Sequence, residues 1–385
     1  MHLFGMPQEE LERLGGYWTA REISQQPDVW TNISRSMARD AGALRAYLDP
    51  LLCRPELRIV LTGAGTSACV GECLAPALTR QMGRRVEAVA TTDLVGSPHS
   101  WLPRTAPVLL VSFARSGDSP ESVAAVGLAE QTLSECYHLI VTCNRDGELY
   151  RRGRCLRNAH VLLLPEATND RGFAMTSSFS GLLLAAARAF DLLGPEVPAA
   201  LALWGNQVLA DFESAASLAR AGFERVVYLG SNEFKGLARE AAMKSLELTD
   251  GTIVAISETP MGFRHGPKTI LNAKTLVVMF LSNEAYTRRY EMDLLRELRA
   301  EAVAARVVTL GAGDEKSLPQ QNEVLVRGAA AAPDFALCFP YAVFAQTLAF
   351  HQSRAMGLRP DAPHTKGVVN RVVKGVSIYP WVPVR

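Results

Sequence analysis

An internal duplication restricts the architecture of this chain more than any other feature. The apolar run Arg58-Ile-Val-Leu-Thr-Gly63 returns as Arg225-Val-Val-Tyr-Leu-Gly230. Pro107–Ser112 answers to Thr275–Phe280, Tyr137–Thr142 to Ala305–Leu310, and His160–Pro165 to Phe335–Pro340. Each copy closes on a helical stretch, Met175–Leu193 in the first and Tyr341–Met356 in the second. The offset of roughly 165–175 residues is that of a duplicated domain, far longer than a solenoid repeat.

Within each copy, short β-branched runs alternate with longer helical patterns such as Ser119–Ser134 and Phe234–Leu248. Apolar strands separated by helices predict an α/β fold: two tandem domains, each a mainly parallel sheet covered by helices on both faces. The expected divisions are a helical segment over 1–50, domains over 51–200 and 201–365, and a tail over 366–385. In the first segment, Thr19 followed by Glu22 reads as a capping box, with a second helix over Val29–Leu48. Pro and Gly mark Gly194–Ala200 and Gly311–Gln321 as linker or loop.

Several function classes are disfavoured by composition. The formal net charge of +1 gives no global field to attract nucleic acid or anionic lipid, so a charged ligand needs a local site. Two glutamates stand at the start, where a signal peptide needs a basic end. The apolar run Gly181–Gly194 is too short to span a bilayer and contains Arg188 and Asp191. Seven cysteines without a C-x-x-C pair suit reduced core thiols in a cytoplasmic protein. No metal and no cofactor is expected.

Ligands of such sheets bind at the carboxyl ends of the strands. The first strand of copy one ends in Gly63-Ala-Gly-Thr-Ser67, where glycines admit close approach and hydroxyls stand beside a helix N-terminus. Gly63-x-Gly65-x-x-Ala68 also satisfies a dinucleotide fingerprint, with Glu87 placed as its ribose-binding acid. A second turn, Ser112–Ser119, favours phosphate, because two hydroxyl-rich turns at one sheet edge can surround a single anion with Thr66, Ser67, Ser116 and Ser119. No G-K-[ST] follows these glycines, so a P-loop is excluded. The corresponding turns of copy two, Gly230-Ser-Asn-Glu-Phe and Leu281-Ser-Asn-Glu-Ala, each carry a carboxylate. That copy is free for another task.

The Gly-x-Gly-Thr-Ser turn with Ser116-Gly-Asp-Ser119 resembles the sugar isomerase (SIS) domain, and the tandem looks like the isomerase half of glucosamine-6-phosphate synthase. Tyr17-Trp-Thr-Ala-Arg-Glu-Ile23, Thr168–Ser178, Ser257–Pro267 and Asn370–Val376 together resemble the AgaS family of galactosamine-6-phosphate deaminases/isomerases, over essentially the whole chain. The resemblance implies that Thr66, Ser67, Ser116 and Ser119 bind phosphate; Arg115 stands where the synthase has glutamine. It implies that Glu247, in a Lys244-x-x-Glu247 pattern, moves a proton between C1 and C2, and that His265 opens the ring. Lys374 would sit on a closing C-terminal tail.

The chemistry agrees with these residue types. A proton shift between adjacent carbons needs one carboxylate near both, and ring opening needs a group that titrates near neutrality. Lys244 and Glu247 share a helix face, although spacing alone favours an ordinary surface ion pair. His265 and Lys374 read by themselves as a loop histidine and a solvated lysine.

The expected reaction is conversion of galactosamine 6-phosphate to tagatose 6-phosphate and ammonia through an open-chain, enediol-like intermediate. Release of ammonia is favoured over capture, since no glutamine-hydrolysing domain precedes the repeat. Alternatives are aldose–ketose isomerisation without deamination and a sugar-phosphate-sensing SIS regulator, although residues 1–50 lack a basic helix-turn-helix pattern. The expected partners are a sugar phosphate and a second copy of the chain in a homodimer or higher homo-oligomer, with no nucleic acid and no membrane.

Overall fold

Ten short apolar segments form two five-stranded parallel sheets with the same strand order. A computed structural model describes residues 2–382 except 103, 195, 365, 366, 368 and 374. A two-stranded hairpin, β1 (His2–Leu3) and β2 (Met6–Pro7), opens the chain. The first sheet contains β3 (Arg58–Thr62), β4 (Val86–Ala88), β5 (Val108–Ala114), β6 (Cys136–Thr142) and β7 (Ala159–Leu163), in the order β4-β3-β5-β6-β7. The second contains β8 (Arg225–Leu229), β9 (Val254–Glu258), β10 (Thr275–Phe280), β11 (Arg306–Gly313) and β12 (Glu323–Arg327), in the order β9-β8-β10-β11-β12. All neighbouring strands within these two sheets run parallel.

Every residue of the central strands β5 and β10 is buried, as a sheet covered on both faces requires. The order places the topological switch between β3 and β5 in one sheet and between β8 and β10 in the other. Backbone geometry repeats as well. The helices Thr66–Met82 and Glu233–Leu248 are entered through Gly65 at φ 56°, ψ −126° and Asn232 at φ 49°, ψ −117°. Two residues before each stands a glycine with no room for a side chain. A Cβ would lie 2.6 Å from Ser67 Cβ at Gly63 and 2.3 Å from Phe234 O at Gly230.

By compactness the chain divides into two units. The first comprises Asp28–Asp170, Ser177–Pro195 and Lys366–Arg385; the second comprises Met1–Pro27, Arg171–Thr176 and Glu196–Thr365. The helical segment 1–50 is therefore shared, with residues from Asp28 onward in the first unit.

Several local expectations are corrected. Phe335–Pro340 does not continue the strand repeat; it lies in the buried helix Asp334–Ala355, and the partner of β7 is β12. A helix buried on all sides and a buried strand look alike in a short apolar window. Thr19 is not a cap. The helix runs Tyr17–Ser24 from Gly16, and Thr19 N and Oγ1 instead donate to Asp361 Oδ1 at 2.7 and 2.8 Å. The helix Val197–Ala210 begins inside the expected linker, and β11 continues through Gly313.

Candidate active site

In the first unit, the turns after β3 and β5 form the expected hydroxyl-rich edge. Thr66 and Ser67 open the helix Thr66–Met82 and are both buried. Ser67 N donates to Ala64 O at 3.0 Å, a contact that tightens the turn. The second turn is braced from below. Asn144 Nδ2 donates to Ser116 O at 2.8 Å, and Leu149 N donates to Gly117 O at 3.0 Å. Gly117 adopts φ 72°, which favours glycine, and a Cβ at Gly147 would lie 2.3 Å from Ser116 O. Ser116 is half-buried. Ser119 precedes the helix Pro120–Thr132, where its hydroxyl donates to Ser122 Oγ at 2.6 Å.

Arg115 is buried, and its Nη2 donates to Arg371 O at 2.7 Å. Arg371 Nε donates onward to Asp170 O at 3.0 Å. This arginine therefore ties the C-terminal segment to the turn after β5. Lys374, assigned to the closing tail, lies outside the described residues. Glu87 does not stand open for a ribose, because Arg58 Nη2 reaches both its carboxylate oxygens at 2.9 Å.

The equivalent edge of the second unit is filled from within. Ser282 N donates to Glu291 Oε2 at 2.8 Å, while Asn283 N donates to Asp334 Oδ1 at 2.6 Å. Ser282 Oγ also binds Asp334. Glu284 caps the helix Ala285–Glu301 by accepting from Tyr286 N and Thr287 N. Burial pushes the Glu291 carboxyl up to about 7. Carboxylates of the chain itself occupy these donors.

Along the helix Glu233–Leu248, Lys244 is fully buried, with Nζ bound to Glu247 Oε2 and 3.5 Å from Glu240 Oε1. Glu247 keeps a quarter of its side chain exposed. The lysine is thus no surface decoration; it pins a partly accessible carboxylate. His265 is exposed, following the short helix Pro260–Phe263 that Thr259 caps at Gly262 N over 3.0 Å. Gly266, at φ 118°, completes the turn.

Sequence reasoning missed a second constellation in this unit. His364 Nδ1 contacts Asp250 Oδ1, just beyond the end of the Glu247 helix. Sequence spacing gives no signal for a pair 114 positions apart. It also missed the three side chains Glu130, Cys136 and His138, whose potential ligand atoms lie within 4.8 Å of one another. That group sits at the start of β6, away from the carboxyl ends of the strands. Burial pushes the Cys136 thiol up to about 12, and His138 Nε2 already meets Glu130 Oε1 at 2.7 Å. The three form a polar cluster at the start of β6, with Cys136 and His138 buried and Glu130 exposed.

Comparison with known proteins agrees with this architecture. The SIS domain family matches residues 52–190. A D-galactosamine-6-phosphate deaminase AgaS from Escherichia coli is 43% identical over 371 residues, covering 95% of this chain and 96% of that protein. The protein of the same name from Shewanella sp. is 40% identical, covering 97% and 95%. Among solved structures, tagatose-6-phosphate ketose/aldose isomerase from Escherichia coli superposes with a TM-score of 0.88 at 39% identity, covering 98% of this chain and 99% of that one.

Proposed function

The chain belongs to the AgaS family, and from that membership we propose that it converts D-galactosamine 6-phosphate to D-tagatose 6-phosphate and ammonia. The observation that carries the reading is near full-length similarity to deaminases of that name, joined to a buried lysine holding a partly exposed carboxylate. Thr66, Ser67, Ser116 and Ser119 take the phosphate, and His265 opens the sugar ring. Glu247 removes the C2 proton of the open-chain aldehyde and returns it at C1 through an enediol-like amino intermediate. Lys244 fixes where that carboxylate stands, and Arg115 holds the tail that carries Lys374. Water then replaces nitrogen at C2.

The active species is a homodimer in which His265 serves the partner's substrate, with two-fold symmetry as the commonest oligomeric arrangement. Mixing Glu247→Gln with His265→Ala protein should then restore activity. Full activity in a verified monomer overturns that arrangement. The cytoplasm is the expected location, because the seven cysteines form no disulfide among the described residues and suit a reducing compartment.

The deciding experiment measures ammonia and ketose 6-phosphate side by side across hexosamine and hexose 6-phosphates. Stoichiometric ammonia from galactosamine 6-phosphate supports deamination. Ketose formation from hexose 6-phosphates without ammonia from any amino sugar favours plain isomerisation, the activity named for the structural relative.

A further inference from the structure

A plain aldose–ketose isomerase needs one base to shuttle a proton between C1 and C2. A deaminase needs more. Once the double bond has moved, C2 is an imine, and water must add there before nitrogen can leave. That exchange requires a group that both accepts and donates protons.

We propose that Asp250 and His364 form this second acid–base device, with His364 Nε2 as the proton carrier; the inference rests on the deaminase reading above. Asp250 contacts His364 Nδ1, which fixes the tautomer and leaves Nε2 as the working nitrogen. Nε2 is buried and meets no hydrogen-bond partner among the described residues. Phe173 packs edge-on against the imidazole with ring centroids 4.5 Å apart, holding its plane.

The location is specific. The Glu247 helix ends in a turn in which Asp250 N donates to Glu247 O at 3.4 Å and Gly251 N to Leu246 O at 2.9 Å. In that turn Asp250 takes the left-handed position, φ 50°, that glycine ordinarily fills. A carboxylate there, where glycine would fit without strain, is the pattern of a residue kept for its side chain. His138 and His351 also have an unpartnered ring nitrogen. His138 lies in β6 and His351 in the helix Asp334–Ala355, whereas Asp250 directly follows the Glu247 helix.

Motifs unassigned by the mechanism converge on this imidazole. Asp361 accepts from Trp18 N at 3.1 Å and from Thr19 N, and its own carbonyl accepts from Phe173 N at 3.1 Å. Glu22 accepts from Gly172 N at 3.2 Å, and Arg171 lies over the Trp18 ring at 4.5 Å. The Tyr17–Ile23 helix and the Arg171–Phe173 turn thereby fix both the segment bearing His364 and the ring that packs on it.

In the step itself, the water oxygen bonds to C2 while one of its protons passes through Nε2 to the imine nitrogen. The second water proton follows the same route as the C2–N bond breaks. A carbonyl at C2 and ammonia result, with no oxidation or reduction.

The test uses the full-length protein with galactosamine 6-phosphate in deuterated water. Deuterium entering C2 of recovered substrate reports Glu247, and ammonia reports the later step. His364→Gln should lower ammonia release by about 10²-fold or more while C2 exchange stays within about threefold. Retained exchange itself proves that the variant is folded. Asp250→Asn, a positioning change, should split the two readouts in the same sense and decides the matter should His364→Gln not fold. A parallel fall of both readouts in a folded variant, or a change in neither, overturns the assignment. If the parent protein exchanges C2 hydrogen but releases no ammonia, the deaminase reading fails and this inference fails with it.

Discussion

The two sheets share a strand order and an entry turn, yet their carboxyl edges have opposite characters. In the first unit the turns after β3 and β5 offer Thr66, Ser67, Ser116 and Ser119 at the start of helices. In the second, Glu291, Asp334 and Glu284 already accept from the donors at the turn after β10. Where the first sheet's turns present hydroxyls, the turn after β10 is filled from inside by carboxylates. Under the proposed function, the filled unit would carry the chemistry along a helix and its end, on Lys244, Glu247 and Asp250.

If that division of labour holds, damage to the second unit should slow the reaction and damage to the first should loosen the substrate. The largest effect is expected from Glu247→Gln. It keeps shape and loses proton transfer, so kcat should fall about 10²–10⁴-fold with little change in KM. Near-normal turnover would show that the base lies elsewhere.

Next in size is Lys244→Met. Removing a fully buried cation leaves Glu240 and Glu247 without it. Stability should drop by about 3–5 kcal/mol, read by urea unfolding. A loss under ~1 kcal/mol would mean that the ion pair is not structural.

The filled turn can be examined through pH. The Glu291 carboxyl titrates at about 7 in the folded protein, above its ordinary 4.5. The folded state therefore holds the proton more tightly. The stability this contributes is fully present below about pH 4.5 and is lost as pH rises toward 7. Glu291→Gln should flatten the fall of melting temperature between pH 5 and 8, an effect of at most ~3 kcal/mol. An unchanged slope would show that Glu291 is not the group that makes the second copy pH-sensitive.

The smallest expected change completes the contrast. Ser116→Ala should raise KM for the phosphorylated substrate roughly tenfold, about 1.4 kcal/mol, with the melting temperature unmoved. An unaltered KM would remove the first copy's claim to be the receptor.

Sequence alone determined the α/β class, the two parallel-sheet domains and the positions of most strands. Short apolar runs such as Val108–Val111 and Leu276–Phe280, set between helical patterns, suit a parallel sheet covered on both faces. It also located the glycine turns, where in the folded chain a Cβ at Gly63 would meet Ser67 and one at Gly230 would meet Phe234. Tertiary structure decided the rest. A buried helix and a buried strand share one hydrophobic pattern, so Phe335–Pro340 became helical by virtue of what packs around it. Thr19 was diverted from a cap by Asp361, a partner 342 positions away. Lys244 and Glu247 read as a surface pair until burial showed the lysine wholly enclosed. Asp250 and His364 met only through the folded chain. Local periodicity records which face of an element is apolar, whereas side-chain chemistry depends on partners brought in from distant sequence, and no window along the chain contains both.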